Sequence, residues 1–364
     1  MMKKKKIIII LALIAVIVIG VREFSFRIIT LFHPDLNIEE KMKLDKLISN
    51  MKTRCIGRYL VDLPVTYMPS EKGIFTVNES EITTMRMYAP AFEQKIHLRE
   101  QELRNKKTVN STNMPYLKNI YKLPNGLTGA IFERVENESV PDAFRTLEAH
   151  LYSNGVAIKI ELAARNGLDK RYDEYRKSSP SNYKNNVPEK LAELNDLLLR
   201  IHGRAEDEIP NKPGNCIKDA FVLDNKKDQE SVDILYESDN DSQIRFSIST
   251  NNFIQEKDSL LERSGGIISD LLSVNGHVLR KGARKINGLD AEELLAKGKY
   301  SDGNDNDRYD FIMITNEKTG GINTPVFSIE LLNKEWEHSP YSQDEIVSFW
   351  DVISLTLRVR PNAF

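Results

Sequence analysis

The chain has 364 residues, 40% hydrophobic and 29% charged, with a net charge of −2 at neutral pH. That length exceeds one typical core and fits two domains, and the composition is that of a folded body, not a disordered one. The small net charge gives no general drive toward nucleic acid or anionic lipid, and two cysteines exclude a disulfide-rich scaffold while allowing one bridge.

The chain opens "MMKKKKIIIILALIAVIVIGVREF", with Lys3 to Lys6 ahead of an unbroken apolar run from Ile7 to Val21. At about 1.5 Å per residue the run reaches about 22 Å, which suits a short anchor or a signal peptide. No A-x-A cleavage site follows, only Val18-Ile19-Gly20, and no cysteine stands behind the run to carry a lipid. Residues 1–30 are therefore expected to be a basic cytoplasmic flank and a transmembrane anchor in the inner membrane. A soluble periplasmic protein after signal cleavage is the alternative. Both place the body outside the cytoplasm, where disulfides persist.

Beyond the anchor the chain repeats itself. Cys-Ile at Cys55 returns at Cys216, Asn-Gly-Leu at Asn125 returns at Asn287, and Ile-Glu-Leu at Ile160 returns at Ile329. Leu-Arg ending at Arg200 returns at Arg358, so four matches keep one order at a near-constant offset. In the first copy "ITTMRMYA" from Ile82 alternates as a strand, and a helical pattern follows from Ala91. Strands are expected at 128–136, 143–152 and 155–164. A long polar insertion, 165–188, precedes a helix that presents Leu191, Leu194, Leu198 and Ile201 on one face.

"EDEIPNKPGN" then reads as a short linker. In the second copy "QIRFSIST" is the counterpart strand, followed by a helix from Glu256 and strands at 291–297, 309–316 and 325–333. A last helix opens with Ser342 and Glu345 in capping-box spacing and lines up Ile346, Phe349, Trp350, Ile353 and Leu357. The fold class is α+β: two duplicated domains, 35–209 and 210–364, each an antiparallel-type sheet covered by two helices, behind an N-terminal membrane anchor.

Catalytic patterns are missing. The six histidines are widely spaced, and no H-E-x-x-H, His/Cys ligand pair, G-x-S-x-G elbow, P-loop or dinucleotide fingerprint occurs. "SDGNDNDRYD" places Asp302, Asn304 and Asn306 at calcium-loop spacing, but Asp307 stands where Gly is needed and Met313 where Glu is needed. A solvated turn is the simpler reading. Trp350 belongs to the core, and Trp336 is placed on a loop. No catalytic, cofactor-binding or metal residue is assigned, and no small-molecule substrate or nucleic acid is implied.

"CIGRYLVDLP", the later "IPNKPGNCI", "INGLDAEELL" and the C-terminal "SQDEIVSFWDVISLTLRVRP" resemble the immunity proteins of type VI secretion systems. These protect bacteria against the fourth class of secreted lipase effectors. The resemblance covers about residues 53–361 and implies a periplasmic two-domain α+β protein without enzymatic activity. It also implies that the two domains grip a cognate phospholipase and obstruct its active site. The residues alone leave two other readings: an envelope structural or assembly protein anchored in the inner membrane, and a hydrolase whose site is scattered in sequence.

Cys55 and Cys216 stand at equivalent places in the two copies, and export would put both in an oxidising compartment. A Cys55–Cys216 disulfide fixing one domain against the other is expected. Two separate buried thiols, as a duplication would naturally leave, is the alternative.

Overall fold

The computed structural model describes residues 34–364 apart from 239–242, 274, 300–306 and 334–339. The expected anchor at 1–30, most of the calcium-like turn and Trp336 lie outside the described residues. Among the described residues no helix is long and apolar enough to cross a membrane.

Helix α1 (Ile38–Leu47) starts at Asn37, which forms a capping box with Glu40. The hairpin β1 (Met51–Ile56) and β2 (Tyr59–Pro64) follows, then β3 (Tyr67–Pro69), β4 (Ile74–Val77), β5 (Ser80–Arg86) and α2 (Ala89–Asn105). Next come β6 (Leu117–Lys122), β7 (Thr128–Val135), β8 (Phe144–Ser153) and β9 (Val156–Arg165). The insertion holds two short helices, α3 (Asp173–Ser178) and α4 (Pro180–Tyr183), ahead of α5 (Val187–Arg200) and β10 (Ile201–Gly203).

The second copy repeats this order. The hairpin β11 (Gly214–Ile217) and β12 (Ala220–Leu223) leads to β13 (Glu230–Ser238), β14 (Ile244–Asn251) and α6 (Leu260–Ser273). Then follow β15 (His277–Ile286), β16 (Leu289–Lys299), β17 (Asp307–Thr315), β18 (Val326–Asn333), α7 (Gln343–Ser354) and β19 (Arg358–Val359). The expected box at Ser342 and Glu345 caps α7.

Two expectations need correction. The copies do not carry separate sheets. They share one antiparallel sheet in the order β15-β16-β17-β18-β14-β13-β4-β5-β9-β8-β7-β6, with β3 beside β13. The join is β4 against β13, where Phe75 faces Val232. Nor do the two helices of a copy cover the same side. In β17, Phe311 and Met313 enter the main core with α7, while Ile312 and Ile314 pack with Leu260 of α6. In β7, Ile131 joins the main core with α5, while Phe132 joins the cluster under α2. One face of the sheet thus carries α5, α7 and the two hairpins; the other carries α2 and α6.

The physical reason is that the outer strands bury both faces. Only the central strands keep a strict period of two, as in the alternating burial of β14. Their inward residues, among them Ile160, Ile248 and Ile329, are fully buried. A side this apolar loses about 25 cal/mol for each Å² exposed, which fixes the register of every strand.

The ends of the copies are exchanged. β10, closing the first copy, pairs with β12 of the second, and β19, closing the second, pairs with β2 of the first. Ile201 and Leu357 therefore lie in or beside these strands and not on the preceding helices. The registers also match Arg204 with Arg360, not Arg200 with Arg358: His202 faces Phe221 as Arg358 faces Leu60, and Phe221 and Leu60 each face the cysteine of their own copy.

The segment 205–213 is not a free linker, because two buried arginines hold its carbonyls. Arg360 Nη1 donates to Pro210 and Lys212 at 2.6 and 2.9 Å, and Arg204 Nη1 donates to Glu206 and Glu208 at 3.1 Å.

Candidate functional site

The seam between the copies sets the geometry of any site that both contribute to. Cys55 in β1 and Cys216 in β11 are joined by a disulfide with Cα atoms 5.7 Å apart, packed among Leu60 and Phe221. Beside it Gly57 and Cys216 exchange both backbone hydrogen bonds at 2.8 Å. Arg58 is fully buried and forks onto Glu230 at 3.1 and 2.9 Å, while reaching Asp224 at 2.8 Å and the carbonyl of Ala363 at 2.6 Å. Burial pushes Glu230 up despite this pairing. Burial, together with Arg58 and Arg204, pushes Arg360 down to about 10. The Arg58 guanidinium thus finds its partners inside the protein. The seam is a brace between the two copies.

On the opposite side the sheet is open. Helix α2 packs on β7 and β8, and α6 packs on β15 and β16 with Leu260 also reaching Val326 at the start of β18, and among the described residues no helix covers the strands between them. The inward residues of those strands are buried and the outward ones are not: Glu81, Thr83, Met85, Ile74 and Asp233 are all exposed. Along the α2 side an open cleft of about 1290 Å³ runs between the helix, the floor of β5 and β9, and the segment Met68–Glu71. Ile74 is 57% exposed, Met68 53% and Leu98 54%, which gives this half an apolar character unusual for solvated strands.

The floor differs between the two copies in how its carboxylates are paired. In the first copy Glu148 takes a bidentate pair from Arg99 of α2, both bonds 2.7 Å, with Arg134 at 2.6 Å and His150 at 2.8 Å. Burial opposes its ionisation, but these donors hold it far below the usual carboxylate range. A carboxylate locked in this way is not free to accept a substrate proton. In the second copy Asp233, Asp310 and Glu330 lie across the floor. Burial pushes up all three, Glu330 to about 7 with Asp310 and Asp233 adding to the effect and Arg308 and Arg245 opposing it.

A further buried network, on the other face, joins Arg280, Arg284, Glu293 and Asp351 beneath Trp350, whose Nε1 donates to Glu293 at 3.2 Å. It too is structural. Among the described residues no group of three or more His, Cys, Asp or Glu could hold a metal ion.

Residues 52–204 match the N-terminal domain of the family described as Tle cognate immunity protein 4, and residues 208–362 match its C-terminal domain. The chain belongs to that family. Its members are immunity proteins, defined by a cognate effector and not by an activity of their own. The apo immunity protein TplEi of the type VI secretion system from Pseudomonas aeruginosa has the same fold. The TM-score is 0.67 at 20% identity, over 85% of this chain and 97% of that one.

A chain of the Tle4–Tli4 complex aligns with TM-score 0.67 at 20% identity, covering 86% of this chain and 98% of that one. TplEi bound to an "L" peptide aligns at 0.63, also at 20% identity, covering 86% and 99%. No curated protein shows significant similarity to the chain.

Sequence reasoning singled out the two cysteines and missed the open face. Its signal was present in the alternation of β13, β14 and β18, whose outward positions carry Asp233, Arg245 and Glu330.

Proposed function

We propose that the chain, in two units spanning 35–209 and 210–364, is a periplasmic immunity protein that binds and neutralises a cognate type VI secreted phospholipase. The observation that carries this reading is family membership over both halves, joined to an open sheet face flanked by α2 and α6. The cognate lipase sits against that face, and the two helices act as fixed jaws set by the continuous sheet. An interface of roughly 1,600 Å² with well-packed anchors supports the tight binding that protection from a membrane-destroying enzyme requires.

The body is held at the inner membrane by the N-terminal segment, a reading supported by Lys3–Lys6 and the run Ile7–Val21. Scaffolding of the envelope, the earlier alternative, is not favoured by the family. The test is co-expression of the body with the lipase encoded beside it. A stable complex and loss of phospholipid hydrolysis are expected; undiminished hydrolysis in the presence of excess body would refute the reading.

A further inference from the structure

The duplication supplies an internal control for the open face. Glu161 and Glu330 occupy the same place, because Ile160 faces Ile82 and Ile329 faces Ile248 in matching registers. Glu161 is neutralised twice, by Arg134 at 2.5 Å and by Lys159 at 2.6 Å. Carrying the registers across the sheet puts Ala296 where Arg134 stands and Ser328 where Lys159 stands. Both cations are gone in the second copy. Glu330 keeps neither a hydrogen bond nor an ion pair among the described residues. The same registers put Asp310 at the place of Thr146 and Asp233 at the place of Ile74, Ser247 at the place of Glu81 and Ile312 at the place of Glu148, and Arg308 and Arg245 are the cations near Glu330.

We propose that Glu330, with its neighbours Asp310 and Asp233, receives arginine or lysine side chains of the lipase, which supply to it from outside the direct pairing that Arg134 and Lys159 supply to Glu161 from within. This rests on the immunity reading and names the chemistry of the partner's surface. Covering a half-buried carboxylate with a protein lacking a cation would strip its remaining water without compensation, whereas an arriving guanidinium satisfies it. The adjoining apolar residues Met68, Ile74 and Leu98 provide the water-excluding part of the same interface.

The groups facing Glu330 are Asp310 and Arg308 on β17, Arg245 on β14 and Asp233 on β13. With Glu330 raised to about 7, docking of a cation releases a proton near neutrality, so the complex tightens as pH rises from about 6 to about 8.

The probe is the purified lipase whose gene neighbours this one, titrated against the body at about 0.05 and about 0.3 M salt. Glu330→Gln is expected to weaken binding about tenfold or more and to flatten the salt and pH dependence. Ser328→Lys, which rebuilds the Lys159–Glu161 arrangement inside the second copy, should weaken binding similarly while raising the melting temperature. Glu174→Gln, on the insertion, is the control and should bind like wild type. If wild type binds and both face variants bind as tightly with an unchanged salt dependence, the proposal is overturned and the immunity reading stands. If wild type does not bind the lipase at all, the immunity reading itself fails.

Discussion

Arg58 and Glu230 lie 172 positions apart in the chain, yet their side chains form a two-bond fork at the seam, sealed by the carbonyl of Ala363. The first copy, the second copy and the C-terminus therefore meet at one guanidinium. The disulfide stands beside this junction, and its loss should be felt by both halves together.

Reducing the bridge, or replacing both cysteines by serine, is expected to lower stability by about 3–5 kcal/mol, since a loop of this length is released in the unfolded chain. Urea denaturation with and without reductant measures it. Protein recovered from the periplasm should show no free thiol on alkylation and mass spectrometry. Two alkylated cysteines there would refute the bridge.

Gly57 has φ of +59°, and an added Cβ would lie 2.4 Å from Thr250 Cγ2. Left-handed backbone and a steric clash both oppose any side chain here. Gly57→Ala should cost about 2 kcal/mol or more, and Thr250→Ser, which removes the offending methyl, should recover part of it. Equal stability of Gly57→Ala and wild type in urea would disprove the account.

Glu148→Gln removes the buried charge that Arg99 and Arg134 share, leaving Arg99 with Glu102 and Arg134 with Glu161, and should cost about 2 kcal/mol or more at neutral pH. The folded pKa of Glu148 lies below its unfolded value. Its contribution is therefore present above roughly pH 4.5 and fades as pH falls below that. The gap between variant and wild type should narrow in acid, as urea midpoints at pH 7 and pH 4 would reveal.

Glu330 behaves in the opposite sense. Its folded pKa, about 7, is above the unfolded one, so the native state holds a proton that the unfolded state has lost between roughly pH 4.5 and 7. Stability is lost as pH rises through that window. Glu330→Gln should therefore stabilise the free protein by about 1 kcal/mol at pH 8, allowing for solvent screening, and by nothing at pH 4. A variant less stable than wild type at pH 8 would show that the carboxylate has an internal partner.

The duplication was legible because turns and strands leave local signatures. The repeated Asn-Gly at Asn125 and Asn287 marks positions of positive φ, 52° and 46°, that asparagine tolerates and glycine follows. Ile-Glu-Leu recurs because the inward isoleucine and outward glutamate are fixed by the pleat.

The join of β4 to β13 was not legible, since β4 is four residues long and its partner comes more than 150 positions later. The side on which α2 lies was hidden as well. That helix buries only Phe92 and Leu103 and covers outward residues that read as solvated, Glu148 among them. The contrast between Glu161 and Glu330 depends on Arg134 and Ala296, residues on a neighbouring strand, and could be read only once the registers were known.

The exchanged ends also set a timetable. On the proposed periplasmic location, a chain crossing N-terminus first delivers β1 and β2 long before β19 can pair with β2 or Ala363 can reach Arg58. Contacts spanning nearly the whole chain form last and slowly. Until residues 358–363 have crossed, the N-terminal hairpin waits with an open edge, and the angle between the jaws is not yet set. On that reading, protection begins only once the whole chain has crossed.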